Sequence, residues 1–138
     1  MPLSDRDWSE LLTAARQAAS RAYCPYSHFR VGAAILTGEG EIVSGCNVEN
    51  ASYGLTICAE RNAIFQAVAQ GTAPLDIRGV VVYTPTAEPT APCGACRQVI
   101  NEFGPHAEIR CLCDGPGIIA STTDVLLPGA FGPKNLNP

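Results

Sequence analysis

A three-layer α/β/α domain built on a mixed sheet is the fold class that the sequence predicts, on three observations. Hydrophobic residues make up 46% of the 138 residues and charged residues 16%, the balance of a chain that buries a core rather than staying disordered. Apolar residues switch between helical and strand-like spacing in the order α-β-β-α-β-α-β, which places helices on the faces of one sheet. Val80-Val81-Val82 is a continuous apolar run, the mark of a strand covered on both sides. With no repeat, low-complexity segment or charge run to divide it, the chain is expected to form a single domain over residues 1–138. At that length roughly two-thirds of the unfolded surface can be buried without disulfide staples.

The elements follow in order. Ser4 can cap a first helix; Asp5 and Asp7 lie in its first turn, and Trp8, Leu11, Leu12, Ala15, Ala18 and Ala22 recur at helical spacing. The helix is expected to stop before Cys24-Pro25, because proline disfavours a helical residue in front of it. Residues 31–36 and 41–48 read as a hairpin around Thr37-Gly38-Glu39-Gly40,. A helix is expected over 58–70, with Ala63, Ile64, Ala67 and Val68 on one face and Gly71 as its stop,. Residues 78–83 form the apolar strand, 93–103 a helix ended by Gly104-Pro105, 108–113 a further strand and 123–127 a short helical turn. The last two strands are expected to be parallel, since a helix crosses over between them.

Charge and length narrow the function classes. Nine Lys+Arg against thirteen Asp+Glu give a net charge of −4, with the positive residues scattered. No basic stripe exists to release counterions, so nucleic acid is not an expected partner. Apolar stretches are short and Met1-Pro2-Leu3-Ser4 does not open an export signal, so a membrane partner is not expected and a cytoplasmic location is. Seven cysteines are an odd number; in a cytosolic chain they point to metal or catalytic use rather than to a disulfide framework.

Their spacing is informative. Cys58-Ala59-Glu60 starts one expected helix and Pro92-Cys93-Gly94-Ala95-Cys96 starts the next. Sulfurs at helix N-termini have lowered thiol pKa values and favour the thiolate, which binds metal. Taken alone, Cys93-x-x-Cys96 is compatible with a redox pair, a structural metal site or a catalytic one. With Cys58 added, three thiolates can converge on one zinc ion per chain, and three protein ligands plus an open position is the catalytic arrangement. Cys24, Cys46, Cys111 and Cys113 could in principle supply a fourth ligand, but none sits in a ligand-like loop, and they read as ordinary buried cysteines. His28 and His106 have no ligand spacing. Glu60 sits beside the metal on a different bearing along the helix, where a carboxylate can take and re-deliver the proton of a water that zinc acidifies. Arg61 can donate to thiolate sulfur and offset the −1 that three thiolates leave around Zn²⁺, or it is a solvated helix arginine. Cys-x-Glu followed by Pro-Cys-x-x-Cys matches the pattern of zinc nucleobase deaminases.

From Tyr26-Ser27-His28-Phe29-Arg30-Val31-Gly32-Ala33-Ala34 through Asn47-Val48-Glu49-Asn50-Ala51, Cys58-Ala59-Glu60-Arg61 and Pro92-Cys93-Gly94-Ala95-Cys96-Arg97-Gln98 to Leu126-Leu127-Pro128, the chain resembles the small, homotetrameric, zinc-dependent cytidine deaminases. The resemblance implies a cytidine-deaminase-like α/β/α fold and a small pyrimidine nucleoside as substrate. Cytidine and 2′-deoxycytidine would be deaminated hydrolytically at C4 to uridine and 2′-deoxyuridine plus ammonia, a step of pyrimidine salvage. It further implies that Asn47 and Glu49 hold ribose hydroxyls and that Phe29 packs against the pyrimidine. Backbone groups of Ala59 and Cys93 would read the base, and Tyr53 and Phe131 would reach into neighbouring subunits' sites. Read from the residues alone, Phe29 is a core phenylalanine and Asn47-x-Glu49 a solvated strand edge; residues i and i+2 do share a face, and an amide with a carboxylate can grip a hydroxyl. Three neighbouring readings remain. A blasticidin-type antibiotic deaminase lacks the Asn-x-Glu pair and the Phe29 segment. A nucleic-acid editor would carry a basic, aromatic strand-binding surface. A non-catalytic zinc module has no use for Glu60.

Overall fold

The structure, a computed structural model, describes residues 2–71 and 74–136; Met1, Thr72, Ala73, Asn137 and Pro138 of the expected domain lie outside the described residues. Helix α1 (Asp5–Ala19) has the expected cap. Ser4 Oγ accepts from Asp7 N at 3.1 Å and the Asp7 carboxylate accepts from Ser4 N at 3.0 Å, so two otherwise orphaned donors are satisfied reciprocally. The helix ends at Ala19, earlier than its apolar spacing suggests. Arg21 N and Ala22 N close tight turns onto Ala18 O and Ala19 O, and Tyr23 N then donates to Asn47 O. Bonding Tyr23 across to the 47–49 segment requires the chain to leave the helix before Ala22, and that tertiary bond overrides the local periodicity.

The hairpin forms from β1 (Gly32–Thr37) and β2 (Ile42–Cys46), and β3 (Ile77–Tyr83) pairs antiparallel with the other side of β1. Strand β4 (Glu108–Leu112) runs parallel to β3, as expected, and β5 (Ile119–Thr122) antiparallel to β4, giving the order β2-β1-β3-β4-β5. The last strand is not evident in the sequence: Ile119-Ala120-Ser121-Thr122 is a four-residue edge with little apolar content, the short form in which edges are commonly kept. Helices α2 (Ala59–Gln70), α3 (Gly94–Phe103) and α4 (Thr123–Leu126) complete the fold.

Strand alternation divides the core into two clusters. Ala34, Leu36, Val81 and Tyr83 face α1, through Trp8, Leu11, Ala15 and Ala19. Ile35, Val80, Val82, Ile109 and Cys111 face α2 and α3, through Ala63, Ile64, Ala67 and Ile100. This is the three-layer arrangement expected, with one difference: Val68 is exposed, because the buried stripe of α2 is no wider than Ala63, Ile64 and Ala67.

Topology brings the site together. Helix α2 leads into β3 and α3 leads away from it, so both helices start at the carboxyl end of β3. Gly32 pairs with both Cys46 and Tyr83, so the start of β1 and the end of β2 lie at that same edge. Ligands in sheets of this kind bind outside the carboxyl ends of strands. The placement of α2 depends on a missing side chain: a Cβ on Gly45 would come within 2.5 Å of Ala63 N and 2.8 Å of Ala59 O. Beside that contact, Asn62 Nδ2 donates to Cys46 O at 2.8 Å. A Gly45→Ala variant is expected to lose roughly 1–3 kcal/mol of stability, the usual cost of overpacking; thermal melting at the wild-type temperature would contradict the backbone contact.

Candidate active site

Cys58 is the N-cap of α2 and Cys93 the N-cap of α3, both in extended backbone, and neither side chain caps its helix. Positions that usually carry Ser, Thr, Asp or Asn here carry sulfurs that are left free. Cys96, one turn into α3, is fully buried. The three Sγ atoms lie within 4.8 Å of one another, with Cys58–Cys93 at 3.8 Å and Cys93–Cys96 at 3.5 Å. Tetrahedral zinc with Zn–S bonds of about 2.3 Å places its sulfurs about 3.8 Å apart, so this donor set fits zinc. All seven cysteines are free thiols. Cys24, Cys111 and Cys113 are buried and stand outside the three-sulfur group, and Cys46 is half-buried. Burial pushes the Cys111 thiol up to about 12.

The three thiols share their protons unequally. Hydrogen bonding from the Cys96 thiol, with help from Arg61 and Cys93, outweighs burial and holds Cys58 down to about 5, while Cys96 is driven well above the usual thiol range. One thiolate is therefore stabilised at neutral pH before a cation arrives, and a cation displaces the remaining protons. Arg61 Nη2 lies 3.4 Å from Cys58 Sγ, and that contact raises its own pKa. It is no solvated arginine. Its Nε is buried without a partner among the described residues.

Glu60, 3% exposed, lies in the first turn of α2. Burial raises its pKa above the usual carboxylate range, and the negative Cys58 adds to the rise,.

Next to the cysteines, Asn47 and Glu49 flank Val48, which bridges Tyr23 and Ile57 beyond the end of β2. They turn to one side, as residues i and i+2 should, and both bind the 26–31 segment. Asn47 is 8% exposed, not a solvated edge: its Nδ2 donates to Phe29 O at 2.8 Å and its Oδ1 accepts from Val31 N at 2.9 Å. Glu49 accepts from Tyr26 N at 2.9 Å, Ser27 N at 3.2 Å and Ser27 Oγ. The Ser27 hydroxyl and the two N–H groups hold the Glu49 pKa below the usual carboxylate range, so it is ionised at neutral pH. Phe29 is 39% exposed, which corrects the core reading of that ring.

Tyr53 is 75% exposed and Phe131 58% exposed. Tyr53 packs on Tyr26 with ring centroids 5.8 Å apart, while Phe131 belongs to the C-terminal segment laid along α3. The sequence reading missed what holds that segment: Gln98 Nε2 and Asn101 Nδ2 donate to Phe131 O at 2.8 and 3.3 Å. It also missed Arg97, which donates to Pro92 O at 2.7 Å and to Leu126 O at 3.0 Å and so fixes the chain entering Cys93. Arg97 and Gln98 follow Cys96 directly, and that proximity to the cluster was the available signal.

If these sulfurs bind zinc, Cys58→Ala loses stoichiometric metal and melts at lower temperature, whereas Cys111→Ala keeps the metal. Elemental analysis of the two purified variants checks this, and full zinc in Cys58→Ala would contradict the assignment.

Residues 5–112 match the family described as the cytidine and deoxycytidylate deaminase zinc-binding region. A protein named cytidine deaminase from Halalkalibacterium halodurans is 46% identical over 132 residues, covering 95% of this chain and 98% of the relative. Another of that name from Mycobacterium tuberculosis is 43% identical over 140 residues, covering 97% and 96%. The crystal structure of cytidine deaminase from Burkholderia pseudomallei superposes with a TM-score of 0.84 at 45% identity, covering 94% of this chain and 100% of the other. Extending across nearly the whole chain and taking in both Cys58-Ala59-Glu60 and the Cys93–Cys96 pair, this similarity shows that the chain belongs to the zinc-binding cytidine and deoxycytidylate deaminase family.

Proposed function

We propose that this enzyme hydrolyses the C4 amine of cytidine and 2′-deoxycytidine, releasing ammonia and leaving uridine and 2′-deoxyuridine, with one zinc ion per chain held by Cys58, Cys93 and Cys96. The observation that carries the reading is the convergence of three sulfurs from two helix N-termini beside a buried carboxyl. Zinc at such a site supplies acidification of a water in its open fourth position. Glu60 takes that proton and delivers it to N3 of the pyrimidine while the water oxygen bonds to C4. It then takes the proton of the new C4 hydroxyl and hands it to the amine, which departs as ammonia as the C4 carbonyl forms. Arg61 withdraws charge from Cys58 and keeps three thiolates from making the site too negative to acidify water,.

Beside the metal, Asn47 and Glu49 bind the sugar. After their bonds to the 26–31 segment, Asn47 keeps one N–H and Glu49 about one lone pair,, and one hydroxyl can accept from the first while donating to the second. The charge on Glu49 repels a 5′-phosphate, so the substrate is the free nucleoside. Phe29 packs against the base, and backbone groups of Ala59 and Cys93 read its edge.

The enzyme is a homotetramer with shared sites, as the family resemblance implies; the exposure of Tyr53 and Phe131 supports their burial against a second copy. We place the enzyme in the cytoplasm, where thiols stay reduced, in pyrimidine salvage. Among the described residues no helix is long and apolar enough to cross a membrane.

The test is ammonia release with cytidine, 2′-deoxycytidine, cytidine monophosphate and blasticidin S offered side by side. Turnover of the two free nucleosides alone is expected; turnover confined to the nucleotide or the antibiotic would contradict the reading. Glu60→Gln is expected to keep its zinc and lose at least about 10²-fold in kcat, and near-normal turnover in that variant would remove Glu60 from the role. By light scattering the protein should have about four times the monomer mass, and a monomer with full activity would contradict shared sites.

A further inference from the structure

We propose that Ser27 is a positioning residue: its hydroxyl couples the Glu49 carboxylate at the sugar end of the site to the Phe29 ring at the base end. The proposal rests on the nucleoside reading above and extends it to a residue that neither contacts the metal nor carries a charge.

Residues 25–30 are all exposed, so packing does little to fix this loop, and its shape depends on polar contacts. His28 within it has φ +58°, a left-handed conformation that residues with a Cβ adopt only where their surroundings impose it. Those surroundings are the bond from His28 N to Cys24 O at 2.9 Å and, on either side of it, the bonds to Glu49 and Asn47. The Ser27 hydroxyl has one proton, which it donates to Glu49, and it accepts from Phe29 N at 3.0 Å. Asn47 holds the other side of the same residue through Phe29 O at 2.8 Å. Both backbone polar groups of Phe29 are thus bonded to side chains, one directly to Asn47 and one to Glu49 through Ser27.

Removing the hydroxyl has two consequences. Glu49 loses a charge-assisted bond, and Phe29 N loses its partner, so the turn that sets the ring is free to open. Tyr26 N and Ser27 N still donate to Glu49, which keeps the start of the loop in place and confines the damage to the ring. Ser27 therefore acts on the nucleoside through Phe29, not by touching it.

The experiment measures kcat and KM for cytidine, with zinc content, in wild type, Ser27→Ala, Ser27→Thr, Phe29→Ala and the Ser27→Ala/Phe29→Ala double variant. Ser27→Ala is expected to keep full zinc and raise KM about 10-fold, the scale of one hydrogen bond to a charged group, with a smaller change in kcat. Ser27→Thr, which keeps a hydroxyl at the same position, is expected to restore KM to within about 2-fold. In the Phe29→Ala background the Ser27 substitution should add nothing. A wild-type KM in Ser27→Ala overturns the proposal, and so does a loss that adds in full to that of Phe29→Ala, which would mean direct contact with substrate. A wild-type enzyme that does not turn over cytidine overturns the nucleoside reading itself.

Discussion

Two helix N-termini meeting at the carboxyl edge of β3 are the constraint on which the rest of this molecule depends. Helix α2 ends where β3 begins and α3 begins where β3 has ended, so two successive parallel crossovers, β2-α2-β3 and β3-α3-β4, bring Cys58, Cys93 and Cys96 together. The sulfurs then occupy N-cap and first-turn positions, where helix dipoles favour anions and where no side chain caps the helix,. Each helix is held from its own side: Gly45 lets β2 lie against the backbone of α2, and the Arg97 side chain ties the chain entering Cys93 to the end of α4. A metal site whose donors come from separate elements is only as well defined as the packing between them.

The electrostatics follow from that placement. Three thiols within 4.8 Å cannot all ionise without a cation, and the protein responds by stabilising one thiolate at Cys58 through Arg61 and its neighbouring thiols. Burial against the same cluster keeps the Glu60 carboxyl closer to neutrality than a surface glutamate. One feature of the fold thus supplies both parts of the proposed chemistry, a sulfur set that fits a cation and a buried carboxyl beside it.

Much of this was legible in the sequence, because the deciding signals are local. Ser4 with Asp7, Gly71 after Gln70 and the Val80-Val81-Val82 run each report on their own segment, and the Cys-x-Glu and Cys-x-x-Cys spacings fix donors relative to a helix start. What escaped was decided by contacts between distant residues. The apolar spacing to Ala22 favours a longer helix, but the bond from Tyr23 to Asn47 ends it at Ala19. Strand β5 has almost no apolar pattern because it is a short, half-exposed edge. Phe29 looks like core in one dimension and stands exposed in three, since its loop is folded by Glu49 and Asn47, some twenty residues away. The backbone anchoring of Phe131 by Gln98 and Asn101, across about thirty residues, left no periodicity to detect.

The central claim is an open, three-sulfur site assembled from two helix starts, and zinc-edge X-ray absorption of the metal-loaded protein tests it most directly. Three sulfur scatterers at about 2.3 Å and one lighter oxygen or nitrogen neighbour are the predicted shell. Four sulfurs would mean a closed structural site recruited from another cysteine, and a shell without sulfur would place the metal elsewhere. Either result would contradict the account.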